Sequence, residues 1–175
     1  MSVLRRGLQP GRLTTADRSV PEAVQCNRTA PRPGVWRFID GKPGHDNQSL
    51  GLVRALQRIH PYEVFDIPVD RATTRAVDFL RRRFPAGELL PDPWLLIGAG
   101  HATHLPLLHA RRARGGRAVV LMTPGLPLRW FDMCVIPVHD EPVDADNVLA
   151  TRGCLNTVRR RSGPGRRHGL ILLGG

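Results

Sequence analysis

A chain of 175 residues with 41% hydrophobic content is long enough for one domain with a sizeable core. No apolar run reaches transmembrane length, and no signal-peptide core precedes the first polar stretch. The formal charge is +11, carried by arginine with Lys42 as the only lysine; it permits contact with anionic lipid or phosphorylated substrates, while aromatic content of 5% argues against a nucleic-acid module, which interleaves aromatic and basic residues.

Residues 1–33 are rich in Arg, Pro and Thr and lack periodicity, so they are expected to form a disordered leader. Arg5, Arg6 and Arg12 with no acid before Asp17 give it a faint likeness to a transit peptide. Val35–Ile39 reads as a strand that ends in the Asp40-Gly41 turn. Asn47 is expected to cap a helix carrying Leu50, Val53, Leu56 and Ile59, which Pro61 ends. Tyr62–Ile67 reads as a second strand. A second helix is expected from Thr73 or Thr74 to Phe84. Trp94–Ile97, continuously apolar, reads as a central strand. After Gly98-Ala-Gly100 a helix runs from Thr103 to about Arg114, and Gly115-Gly116 ends it through positive φ. Arg117–Met122, Met133–Ile136 and Asn147–Ala150 supply further strands, and Leu170–Leu173 the last. A buried strand entering Gly174-Gly175 rarely closes a natural chain, so the C-terminus is expected to be a truncation. The domains are then 34–168, and 169–175 as the start of a second domain.

Strands alternating with helices predict an α/β fold with a doubly wound, parallel, Rossmann-like sheet. Ligands bind such sheets beyond the carboxyl ends of the strands. Asp40–His45, Gly98–His104, Thr123–Pro127 and Pro137–Glu141 should all lie at that edge.

Gly41, Lys42 and Gly44 feed a helix start. There free backbone N–H groups and the positive dipole end favour a phosphate, Lys42 adds charge, and His45 adds a donor or base. The loop is not the G-x-x-x-x-G-K-[ST] pattern, because its lysine lies between the glycines. The same residues also suit a tight turn with His45 as a cap. Gly98, Gly100, His101 and Thr103 form a second strand-to-helix loop. The third glycine of a dinucleotide fingerprint is replaced by Thr103, and no acid follows the next strand at Met122-Thr123, so a second anion-binding helix start fits better than NAD. The hydroxyl of Thr103 suits a cap. His101 and His104, three apart, could share a helix face and form a metal site with His45 or His139, but the H-E-x-x-H pattern and paired carboxylates are missing, so neither metal nor cofactor is expected. His139-Asp140-Glu141 reads as a solvated loop. Arg152 could fork onto a phosphate or carboxylate. Cys26, Cys134 and Cys154, odd in number and widely spaced, suit a reducing, cytoplasmic compartment rather than a disulfide framework.

Five blocks then stand in order: Asp40–Leu52, Ile97–Leu108, Val119–Leu128, Phe131–Asp140 and Asn147–Asn156. Together they resemble the mitochondrial fission ELM-type family from about residue 34 to the end of the chain. The resemblance implies a GT-B glycosyltransferase-like architecture of two Rossmann-like domains facing across a cleft, with this chain as the N-terminal, acceptor-side half. It implies His45 as a general base near an acceptor hydroxyl and the two glycine loops as holders of an acceptor phosphate. A nucleotide-sugar donor would sit mainly in the C-terminal domain, so this half is not expected to transfer a sugar alone. The partners implied are a nucleotide sugar and a phosphorylated or lipid-linked acceptor. Since the family has plant members linked to mitochondrial division, a non-enzymatic scaffold meeting anionic membranes is the alternative.

Overall fold

The computed structural model describes residues 33–70 and 75–159. The expected leader up to residue 32, the helix start at Thr73 or Thr74 and the strand at Leu170–Leu173 lie outside these residues. Six parallel strands form one sheet: β1 (Gly34–Ile39), β2 (Glu63–Pro68), β3 (Pro93–Ala99), β4 (Arg117–Leu121), β5 (Met133–Pro137) and β6 (Val148–Thr151). Their spatial order is β2-β1-β3-β4-β5-β6. From β1 the chain steps one way, to β2; from β3 it steps the other way, to β4. The reversal between β1 and β3 is the switch point, the place beyond the strand ends where such sheets take ligands.

Alternation along β1 sorts the core into two layers. Trp36 and Phe38 point to one face, with Leu96, Val120, Cys134 and Ile136 from the neighbouring strands. Helix α3 (His104–Arg114) covers that layer through Leu107 and Ala110. Val35 points the other way, into a layer with Ile97, Val119 and Val135, where helix α1 (Pro43–Leu56) contributes Val53. Helices on opposite faces make the sheet doubly wound. Arg37 shares the second face and is only 7% exposed. Its fork closes on Asp66, the residue in register on β2, with Nε to Oδ1 at 2.6 Å and Nη2 on Oδ2. Nη1 donates to the carbonyl of Asp46 at 3.1 Å, so this one buried guanidinium ties β1, β2 and the first turn of α1 together.

Three boundaries differ from the sequence expectation. Helix α1 starts at Pro43 with Lys42 in the cap position, four residues before Asn47. Proline's fixed φ suits a first helical residue, so the turn feeds the helix directly. Asn47 instead accepts a 2.9 Å bond from the hydroxyl of Thr157 on Oδ1. At the other end α1 stops at Leu56, well before Pro61. The second helix, α2 (Ala76–Leu80), is short; Arg82 turns to φ 52°, and Phe84 drops into the core 5.8 Å from the ring of Trp36. Between β4 and β5 and between β5 and β6 only 3-10 turns intervene, at Leu128–Trp130 and Val138–Asp140. Leu126, Leu128 and Phe131 pack on the α3 side. The opposite face of β4–β6 therefore carries a cavity of about 390 Å³ lined by Leu52, Trp94, Val119, Val135 and Leu149. Cys134 lies in the apolar core, where burial pushes its thiol up to about 11.

Candidate functional site

The loops leaving β1 and β3 flank the switch point, and the loop leaving β4 joins them. The contacts are specified by two glycines. A Cβ on Gly100, which stands at φ 80°, would lie 2.2 Å from Nδ1 and 2.3 Å from Cε1 of His45. A Cβ on Gly125 would lie 2.6 Å from Cδ2 of His101. Each histidine thus packs against a glycine of the next loop, and the three loops form one continuous rim. That is the placement expected for Asp40–His45, Gly98–His104 and Thr123–Pro127.

His45 does not cap the helix. Its Nδ1 lies 2.8 Å from Oδ2 of Asp40, whose side chain is 4% exposed, while that of His45 is 20% exposed. The other carboxylate oxygen accepts the backbone N–H of Lys42 at 3.1 Å. A carboxylate can only accept, so the bond fixes a proton on Nδ1 and, in the neutral ring, leaves the lone pair on Nε2. The Asp-Gly turn therefore has a second task, to aim an imidazole. Gly41, at φ 76°, Lys42 and Gly44 are exposed at the start of α1, where the first-turn N–H groups have no partner within the helix. Asp46, in that same turn, has an Oδ1 without a hydrogen-bond partner; burial first, then the nearby Asp40, raises its carboxyl pKa.

On the β3 side, Gly98 is buried, and its lack of a side chain leaves room for Thr103, whose Oγ1 would be 2.5 Å from an added Cβ. Thr103 does not cap α3. It is fully buried in the 3-10 turn His101–Thr103, and its hydroxyl donates to the carbonyl of Gly100 at 2.8 Å, which closes the loop on itself. His101 is exposed at the rim. Behind it His104 is only 2% exposed, its ring 5.5 Å from those of His101 and Phe131, and its Nε2 has no hydrogen-bond partner. Burial, reinforced by His101 and His45, pushes the His104 pKa down to about 4. The cluster thus contains a buried, neutral imidazole behind two more accessible ones.

The turn after β5, at the same edge of the sheet, carries a further candidate. His139 sits in the turn after β5 with Nε2 3.9 Å from the thiol of Cys154 and 3.6 Å from Asp140. Among the described residues no three His, Cys, Asp or Glu side chains are grouped so as to hold a metal ion. No helix among them is long and apolar enough to cross a membrane. Sequence reading treats Asp40 only as a turn residue and leaves Gly125 out; an acid five residues before a loop histidine is the one signal that pointed to the first.

The fold and this rim define a doubly wound α/β domain with a polar loop cluster at its switch point, the position where such domains take small ligands. The family model described as mitochondrial fission ELM1 matches residues 43–175, and the chain belongs to that family. No curated protein and no solved structure matches it.

Proposed function

We propose that this chain is the acceptor-side half of a GT-B-like glycosyltransferase, with the switch-point crevice as its acceptor site. The observation that carries the reading is the Asp40–His45 pair held against Gly100, which leaves an oriented Nε2 lone pair at the mouth of two anion-favouring loops. In this reading Lys42 and the first turns of α1 and of the His101–Thr103 segment bind the acceptor phosphate. Nε2 of His45 takes the proton of an acceptor hydroxyl as its oxygen bonds to the anomeric carbon of the donor sugar, whose bond to the nucleotide's terminal phosphate oxygen breaks so that the nucleotide leaves. Asp40 stabilises the imidazolium that forms. The nucleotide-sugar donor belongs to a second domain across the cleft, and the complete enzyme works in the cytoplasm on a phosphorylated or lipid-linked acceptor.

Calorimetric titration with a short-chain polyprenyl phosphate tests it. The expected result is saturable binding that Lys42→Ala weakens and His45→Ala leaves intact. A family member carrying both domains that binds neither polyprenyl phosphate nor nucleotide sugar overturns the transferase reading.

The +11 charge favours a second reading, a non-enzymatic scaffold in peripheral contact with anionic membranes. Sedimentation with vesicles separates the two. Salt-sensitive binding that needs anionic lipid and survives replacement of Lys42 and His45, without any ligand bound in the crevice, supports the scaffold.

A further inference from the structure

Away from the crevice, on the outer side of α3, a groove of about 850 Å³ runs between α2, α3 and the Leu128–Trp130 turn. Its apolar lining includes Phe79, Leu105, Leu108 and Trp130. Leu105 is 58% exposed, and Phe79 and Trp130 are each 43% exposed. Large side chains left this open mark a contact surface rather than a core.

The polar rim decides what the contact is. Among the described residues, no carboxylate lines the groove. Arg111 is neutralised by Asp132 at 3.1 Å and donates to the carbonyl of Trp130 at 2.8 Å, which pins the Trp130 turn to α3. Arg112 lies over the Phe79 ring, 4.8 Å from its centroid, and donates to the Phe79 carbonyl. Arg129 is exposed beside Trp130. Among the described residues, neither Arg112 nor Arg129 has an ion-pair partner. Guanidiniums around an apolar floor, with a half-exposed tryptophan at the boundary, match the gradient of a bilayer surface: phosphates outside, acyl chains within. An acidic protein partner would use the arginines but would leave the open apolar floor unexplained.

We propose that this groove is where the domain docks on an anionic phospholipid bilayer. Arg112 and Arg129 meet lipid phosphates, and Trp130, Leu105 and Phe79 enter the headgroup–acyl boundary. The proposal rests on the peripheral membrane contact named above and not on the transferase reading. It places that contact on the flank of α3, so the crevice at the strand ends stays open.

The test is sedimentation with phosphatidylcholine vesicles with and without phosphatidylglycerol. Binding is expected only with phosphatidylglycerol, weakened about fivefold by Arg112→Gln or Arg129→Gln and about 25-fold by both. Arg58→Gln, at the end of α1 on the opposite face, controls for net charge and should change little. In a Trp94→Phe background, Trp36 is fully buried, so quenching by brominated acyl chains reports Trp130. Quenching on vesicle binding is expected. Phosphatidylglycerol-dependent binding that survives the double variant overturns the groove and keeps the membrane contact. No vesicle binding at all overturns both. Equal binding to phosphatidylcholine alone, a Trp130 already shielded from aqueous quencher in the free chain, or self-association abolished by Leu105→Gln would each replace the bilayer with another occupant.

Discussion

His104 is expected to make this domain acid-labile in a defined window. In the unfolded chain a histidine titrates near 6.5, whereas in the fold His104 titrates at about 4. Between those values the unfolded state holds the extra proton, so stability rises with pH; it is fully present above 6.5, is lost as pH falls towards 4, and is flat below. The interval corresponds to at most about 3 kcal/mol, from 1.36 kcal/mol per pH unit for one proton. The charged or titratable groups facing the ring are His101 from its own loop and His45 from the loop after β1, and both push in the same direction. Asp46 works against it, because a carboxyl whose pKa is raised in the fold favours the folded state as acid is added. Urea unfolding followed by circular dichroism, at steps from about pH 7.5 to about pH 4, measures the sum. The His104→Gln variant keeps a polar amide at the site and removes the titration. Its stability should fall by about 3 kcal/mol less than wild type over the window, whatever its stability at neutral pH. Parallel wild-type and variant profiles would refute the assignment, because the ring would then be neither buried nor neutral in the sense argued.

The rim and the strand pins yield further expectations. Gly100→Ala forces a side chain into the His45 ring at positive φ, so it should cost about 1–3 kcal/mol and release His45, seen as a lower urea midpoint and a shifted His45 imidazole resonance. Asp40→Ala removes the acceptor on Nδ1, so nitrogen-15 spectra should change from a single Nδ1–H tautomer to a mixture; a tautomer that stays fixed would show that another group orients the ring. Asp66→Asn leaves the Arg37 charge buried and half-partnered and should cost on the order of 2–3 kcal/mol, below the usual loss for a broken buried pair because the Asp66 side is open to water. Arg37→Met, which removes the charge with its partner bond, should cost less than Asp66→Asn in the same denaturation assay, and the reverse order would mean that the ties to α1 matter more than the buried charge.

What the sequence makes legible follows from range. Trp94–Ile97 and Ala118–Leu121 are continuous apolar runs, and a strand buried on both faces has no other way to be written, so the parallel sheet and its central members can be read directly. The glycine loops are equally local, and a strand, a glycine turn and a helix start within six residues place Lys42 at the carboxyl edge before any contact is known. The start of α1 is local too, yet the reading favours Asn47, because capping propensity is weighed without the proline that had already set φ at position 43. The switch point itself is not local. It depends on the chain leaving β1 towards β2 and β3 towards β4, a choice made by crossovers whose direction no short window encodes. The same holds for its chemistry. Gly125 matters because His101, on another loop, lies against it, and His104 is neutral because Phe131 and two histidines close around it. Asp40 is the intermediate case. It belongs to the same turn as His45, but only a turn that brings residues 40 and 45 within 2.8 Å converts a turn-forming acid into one that orients a base.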